Sequence, residues 1–204
     1  MKTKVKRYLL DKYCTNGKLW KMLLWLRRVG LLGFLFPELK SLIDLDQGNK
    51  HHKEGDAWTH TILVIKNCPA NPLLQISALY HDIGKSVCRS DDGKSVHFYG
   101  HEGESEKMVK ELLKEMSYSE EFIEKVCRII KNHMRPLGLQ YFSDKIIRKI
   151  VRDVGVDLIE PYMQLVEADC KGKSTEEQNS SSKLIEFKNR IHKLLRLIEL
   201  DHAI

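Results

Sequence analysis

Leu73-Leu74-Gln75-Ile76-Ser77-Ala78-Leu79-Tyr80-His81-Asp82-Ile83-Gly84-Lys85 is the stretch on which the reading of this chain turns. Leu74, Ala78 and His81 stand at i, i+4 and i+7, so on a helix they share one face. That face is apolar until its last member, an imidazole. The helical pattern runs from Leu73 to Asp82 and stops at Gly84, where a residue without a side chain supplies a backbone break. Neighbouring residues point about 100° apart on a helix, so His81 and Asp82 converge on one point most easily at a helix end.

Working outward, the same arrangement recurs. Val126, Ile130 and His133 repeat the spacing, Leu158, Tyr162, Leu165 and Asp169 continue one stripe, and Ala57, His60 and Val64 do so more weakly. Four segments therefore direct a His or an Asp along an otherwise apolar stripe. A buried carboxylate without a partner costs on the order of several kcal/mol. One shared divalent cation would keep the acids ionised and give each imidazole nitrogen a ligand role. Each residue also has a plainer reading. A lone inward His is more often a hydrogen-bonded core residue, Asp169 could pair with Lys171 or Lys173, and His133 could sit at a helix end favoured by the dipole. Four separate coincidences are a poorer account than one ion.

Helical periodicity dominates the rest, and β-branched alternation is nearly absent, so an all-α fold is expected. Helices are expected over Lys2–Val29 with a break near Asn16-Gly17, then over Ala57–Lys66, Glu104–Met116, Ser119–Met134, Ser143–Val154 and Val156–Cys170. Phe34–Gly55 reads as an irregular connector. Ser90-Asp91-Asp92-Gly93 is a turn signal, which makes Val87–Phe98 a loop with room for a small hairpin. Lys173–Ser182 is polar and Ser-rich, a flexible linker. Leu184, Phe187, Ile191, Leu194, Leu195 and Ile198 mark a last amphipathic helix, expected to fold back on the domain, with a dimer contact as the other option. The organisation that follows is a helical region over 1–45 packed on a core of 46–173, then a linker and C-terminal helix over 174–204. The 204 residues suffice for one well-filled helical domain.

Lys and Arg number 34 against 28 Asp and Glu, a net +6, with an isoelectric point near 9.0. That surplus suits an anionic ligand such as a nucleotide or RNA, and equally a generically basic surface. The five cysteines are scattered without a CxxC pair, so neither a zinc ribbon nor a disulfide framework is indicated. Free thiols of this kind suit a reducing cytoplasm. Leu19–Phe36 contains Lys21, Arg27 and Arg28, too much charge for a membrane span, and it lacks the cleavage site of a signal peptide. A cytoplasmic protein with no membrane partner is expected.

His60, the pair His81-Asp82 within His81-Asp82-Ile83-Gly84-Lys85, and the distant Asp169 together resemble the signature of the HD metal-dependent phosphohydrolases. Phe36-Pro37-Glu38-Leu39, Gln47, Glu54-Gly55-Asp56, Trp58-Thr59-His60-Thr61 and Glu167-Ala168-Asp169 are similar to the HD region of bacterial tRNA nucleotidyltransferases, the CCA-adding enzymes, over roughly Leu19 to Lys173. The nucleotidyltransferase domain that would precede that region has no room before Leu19, so CCA addition is not expected; a freestanding HD-type bundle with hydrolase activity is.

The resemblance implies His60, His81, Asp82 and Asp169 as ligands of a divalent metal. Mixed imidazole and carboxylate donors suit Mn²⁺, Fe²⁺, Co²⁺ or Ni²⁺ better than Mg²⁺ or Zn²⁺. His101 and His133 match places where two-metal members carry further histidines. They are read here as facing the substrate beside one tightly held ion, a second ion being the alternative. Asp82 would orient the attacking water, and Lys85 and Arg135, with His101 or His133, would neutralise charge on phosphate. His51 and His52 read as solvated, and His97 as a loop residue able to approach the pocket. The substrates implied are phosphomonoesters or cyclic phosphodiesters of nucleotides, with 2′,3′-cyclic and 2′-nucleotides favoured. Hydrolysis of a nucleoside triphosphate or signalling nucleotide is one alternative, and a non-catalytic RNA-binding or regulatory module is another.

Overall fold

A computed structural model describes residues 1–48, 54–139, 141–173 and 178–201, with side chains in the last helix described for 182–197. The elements in chain order are α1 (Lys2–Thr15), α2 (Leu19–Arg28), the one-turn helices α3 (Leu32–Leu35) and α4 (Pro37–Lys40), α5 (Ala57–Asn67), α6 (Pro72–Tyr80) and the short α7 (Lys85–Cys88). A two-stranded hairpin follows, β1 (Ser90–Asp91) and β2 (Val96–His97), antiparallel with Ser90 opposite His97. Then come α8 (His101–Glu115), α9 (Glu120–Asn132), α10 (Arg135–Gly138), α11 (Asp144–Val154), a 3₁₀ turn over Val156–Leu158, α12 (Ile159–Gly172) and α13 (Gln178–Asp201). The protein is all-α apart from the hairpin.

Local chemistry sets the ends of the helices that matter. Asp56 caps α5, its carboxylate accepting from Thr59 N at 2.9 Å. Asn71 caps α6 ahead of Pro72, whose missing N–H costs nothing at the first helical position. Between them, buried Gln75 donates to the carbonyls of Ile65, Cys68 and Pro69 at 3.0 to 3.1 Å. Those carbonyls lie at and just beyond the C-terminal end of α5, so one amide staples α6 to it. Ser119 and Ser143 cap α9 and α11.

The apolar stripes read from the sequence all face inward: Leu74, Ala78, Val126, Ile130, Tyr162 and Leu165 are buried. α5 packs along α12, α8 along α9, and α6 bridges the two pairs. Two glycines let these pairs close. A Cβ on Gly172 would lie 2.8 Å from Val64 Cγ2, so α12 could not approach α5 with any larger residue there. A Cβ on Gly84 would overlap the His101 carbonyl oxygen and stand 2.6 Å from Ser105 N. Gly84 itself is in the ordinary right-handed region (φ −67°). Its value is therefore close approach to α8, sealed by Gly84 N donating to Ser105 Oγ at 2.9 Å, rather than the backbone freedom anticipated from the sequence.

α1 lies against α6 and α2 against α5. Buried Lys6 pairs with Glu38, and the Tyr80 hydroxyl donates to the same Glu38 oxygen at 3.1 Å. At the other end, α13 lays Phe187, Ile191 and Leu194 against the fold's own helices, Phe187 meeting Phe142 at 5.1 Å between ring centroids. The fold-back option for this helix is the one seen. It starts at Gln178, so the Ser-rich run is helical earlier than its composition suggests; its serines can be carried on a helix whose apolar side is packed. All five cysteines are free. Among the described residues, no helix is long and apolar enough to cross a membrane.

Candidate metal centre

Five segments converge where α5, α6, α8, α9 and α12 meet. His60 comes from the first turn of α5, and His81 and Asp82 from the turn that ends α6. His101 opens α8, His133 follows the last residue of α9, and Asp169 lies in the last turn of α12. All six are buried. Tyr162 holds the end of α9 in place by donating from its hydroxyl to Asn132 O at 3.0 Å.

The imidazoles are oriented by one repeated device. The Nδ1 atoms of His81, His101 and His133 each meet the carbonyl three residues earlier, those of Ala78, Phe98 and Ile130, at 2.9, 2.8 and 2.7 Å. A carbonyl only accepts, so Nδ1 must carry the hydrogen, and Nε2 is turned inward. His60 reaches the same state through an acid, its Nδ1 lying 3.1 Å from Glu54 Oε1. Such partners fix the tautomer and ring orientation of metal-binding histidines.

Asp82 stands at the centre and divides the cluster. Its Oδ2 is 3.1 Å from His81 Nε2 and 3.6 Å from His60 Nε2, while its Oδ1 is 3.1 Å from His101 Nε2 and 3.6 Å from His133 Nε2. Two trios result, His60–His81–Asp82 and Asp82–His101–His133, each with ligand atoms within 4.8 Å of one another. Asp169 joins the first, its Oδ1 2.9 Å from His60 Nε2 and 3.9 Å from His81 Nε2. Lys85 Nζ rests 2.7 Å from Asp82 Oδ2 and donates to Gln47 Oε1 at 2.6 Å. Lys173 Nζ is 3.5 Å from Asp169 Oδ2. The pairing of Asp169 with Lys173 thus exists, but as part of the cluster and not in place of it.

The electrostatics follow from this crowding. Burial opposes ionisation of Asp82, yet His81 and Lys85 hold its carboxyl well below the usual range; for Asp169, Lys173 and His60 overcome burial in the same way. Burial works against a charged His60, but Asp169 and Glu54 outweigh it and raise its pKa, as Asp82 does for His101. For His133 burial prevails, and its pKa is lowered.

These residues fit a divalent cation. The Nε2 atoms of His101 and His133 are buried and make no hydrogen bond, although both face a carboxylate oxygen. A buried lone pair aimed at an anion is costly unless a proton or a metal stands between them. The donor set, four imidazole nitrogens and two carboxylates, is that of a transition-metal site.

Of the residues singled out from the sequence, His60, His81, Asp82, Lys85, His101, His133 and Asp169 come together. Arg135 does not join them: its guanidinium is turned to Asp153 Oδ2 at 2.6 Å, a partner 18 residues away that local pattern could not reveal. His97 sits on the hairpin, 3.4 Å from Asp92 and stacked on Tyr99, outside the cluster. His51 and His52 lie outside the described residues. Glu54 and Gln47 received no role from spacing. Their only signal was their place in the motifs before α5.

The family model described as "HD domain" matches residues 69–187, more than half of the chain. The match begins downstream of His60, which the fold nonetheless places at the centre of the cluster. The CC-adding tRNA nucleotidyltransferase of Thermus thermophilus is 34% identical over 116 residues, covering 53% of this chain and 26% of that protein. The multifunctional CCA protein of Actinobacillus pleuropneumoniae is 38% identical over 101 residues, 46% of this chain and 24% of that one. The multifunctional CCA protein of Thioalkalivibrio sulfidiphilus is 28% identical over 159 residues, 73% and 38% respectively. The chain therefore spans between a quarter and two fifths of the length of these curated relatives. By the family match and by the paired His and Asp trios, it belongs to the HD domain family, within the superfamily of metal-dependent phosphohydrolases, and is an HD region related to that of the CCA enzymes.

Proposed function

We propose that the chain hydrolyses phosphomonoesters or cyclic phosphodiesters of nucleotides, 2′,3′-cyclic and 2′-nucleotides foremost, with a divalent cation at His60, His81, Asp82 and Asp169. The observation that carries this reading is the central carboxylate of Asp82, which offers a separate oxygen to each of two imidazole pairs. That division favours His101 and His133 as holders of a second cation over a role limited to touching substrate. When bound, such a cation supplies Lewis-acid polarisation of a phosphoryl oxygen and makes water acidic enough to attack near neutrality.

The protein's own groups do the remainder. The carbonyls of Ala78, Phe98 and Ile130 keep the Nδ1 hydrogens in place, so each ring presents the same nitrogen without reorganisation. Burial excludes bulk water and strengthens each charge interaction inside the cluster. Lys85, held by Gln47 beside Asp82, is placed to neutralise a phosphate brought to that carboxylate. Beside the second trio, residues flanking His101 and His133 help line a cleft of about 610 Å³ with Lys131, Arg135 and Lys149 as its cations and Met134, Leu139 and Ile146 on its apolar wall. That size and mixture suit a nucleotide, and Arg135 would act there on substrate charge rather than at the metal.

Metal analysis of the purified protein, joined to a phosphoester panel with Mn²⁺, Co²⁺, Ni²⁺ and Mg²⁺, tests the reading. Bound transition metal and turnover of 2′,3′-cyclic and 2′-nucleotides are expected, with Mg²⁺ the weakest activator. A metal-replete protein that turns over none of the panel would leave an HD scaffold without hydrolase function.

A further inference from the structure

Charge along this chain is segregated. Residues 1–28 contain nine Lys and Arg against one acid, Asp11, leaving 25 basic and 27 acidic residues for everything that follows. The whole basic surplus therefore belongs to α1 and α2. The one acid is already engaged, accepting from the Tyr118 hydroxyl at 2.8 Å and lying 3.3 Å from Arg7. Lys6 is buried with Glu38, but Lys2, Lys4, Lys12, Lys18, Lys21, Arg27 and Arg28 are exposed.

These cations are interleaved with exposed aromatic rings. On α1, Lys4, Tyr8 and Lys12 stand at i, i+4 and i+8, and on α2, Lys21, Trp25 and Arg28 stand at i, i+4 and i+7, so each trio forms a stripe. Tyr8 is 60% exposed and Trp25 57%; Phe34, 62% exposed, lies under Lys2 at 5.1 Å from ring centroid to Nζ. Such rings would normally be withdrawn from water. The two helices pack on one another.

A helix that lies in a membrane surface needs a continuous apolar face to insert. The apolar faces of α1 and α2 are used already: Leu10, Cys14, Leu19, Met22, Leu23 and Leu26 are in the core. Of the apolar side chains left outside, Val5, Leu24, Val29 and Leu31 are each more than half covered, while the rings of Tyr8, Trp25 and Phe34 stand further out, between cations. Phosphates and the faces of unpaired bases match that pattern. We propose that the exposed stripes of α1 and α2 bind single-stranded nucleic acid, the cations on phosphates and Tyr8 and Trp25 stacking on bases, independently of the metal centre.

The full chain is titrated by fluorescence anisotropy with a labelled single-stranded RNA, the same sequence as DNA, and a duplex, over a series of KCl concentrations. Single strands are expected to bind more tightly than the duplex, and any preference between the two single strands tells which is the native ligand. The Lys4→Glu/Lys12→Glu/Lys21→Glu/Arg28→Glu variant should reduce the log–log salt slope by about 3, at about 0.7 for each lost single-strand contact. Trp25→Ala should weaken binding roughly tenfold with the slope unchanged, and Trp25→Phe should restore it. Circular dichroism and mononucleotide hydrolysis should be the same in all variants. Tighter binding to duplex, an unchanged slope in the charge-reversal variant, or binding only to phosphatidylserine vesicles would overturn the proposal.

Discussion

Tyr80 and His81 are consecutive and both fully buried, yet they open into two different kinds of polar cluster. The Tyr80 hydroxyl joins Glu38 and Lys6, one anion, one cation and one hydroxyl donor, which close on each other. The His81 ring joins Asp82, Asp169 and the imidazoles of His60 and His133. There, Lys85 and Lys173 stand against Asp82 and Asp169, while Glu54 backs His60 with a third carboxylate. What remains are the inward Nε2 atoms of His101 and His133, buried and without a hydrogen-bond partner. In the first cluster the ammonium and the hydroxyl both find one oxygen of a single carboxylate, and the cluster docks the N-terminal helices. The second is incomplete in a way that a cation, and little else, resolves. Burial by itself does not mark a functional site; several ligand atoms converging within a few ångströms of one another do.

The largest effect that separates the two clusters is expected from His81→Ala or Asp82→Ala. Either change should reduce metal content and phosphoester hydrolysis to background while circular dichroism still reports a helical protein; full activity in either would remove the site. Glu38→Ala should do the reverse. It strands a buried ammonium, costing about 3 to 5 kcal/mol, which for a chain of this size lowers the melting temperature by roughly 10 °C, while activity per folded molecule is kept. A variant of normal stability would show that the Lys6 pair holds nothing. Glu54→Gln is a subtler test of the second cluster, since it removes only the acid behind His60. Metal affinity measured by competition with a chelator should fall about 10- to 100-fold, with Tm of the metal-free protein little changed.

The smallest effect is one of pH. His60 and His101 have raised pKa values, so the stability they contribute is fully present below about 6.5, the value for an unfolded His. It is lost as pH rises through their folded values; His133, shifted down, works weakly the other way. The chelated protein should therefore melt at lower temperature at about pH 9 than at about pH 6.5, whereas Mn²⁺ should stabilise it more as pH rises, because its ligands must shed protons. Melting curves with and without chelator check this, and parallel trends in both would contradict it.

Much of the second cluster was legible in the sequence because its members end or interrupt apolar helical stripes, and a period of 3.6 is visible without a structure. Leu74–Ala78–His81 and Val126–Ile130–His133 are the clearest cases. The first cluster was not legible, because Lys6, Glu38 and Tyr80 come from three elements and no local spacing relates them. For the same reason the pairing of Arg135, read as a phosphate contact, with Asp153 was not legible. The one-turn helices α3, α4, α7 and α10 are too short to show a period. Gly84 was read as a break when its role is contact with α8, a distinction that depends on a helix 17 residues downstream.

The most direct measurement is anomalous diffraction from crystals grown with Co²⁺. A peak bounded by His60, His81, Asp82 and Asp169, and a second on the Asp82 Oδ1 side between His101 and His133, is the predicted result. Metal-replete crystals that show no peak in the cluster, with Lys85 still seated on Asp82, would contradict it.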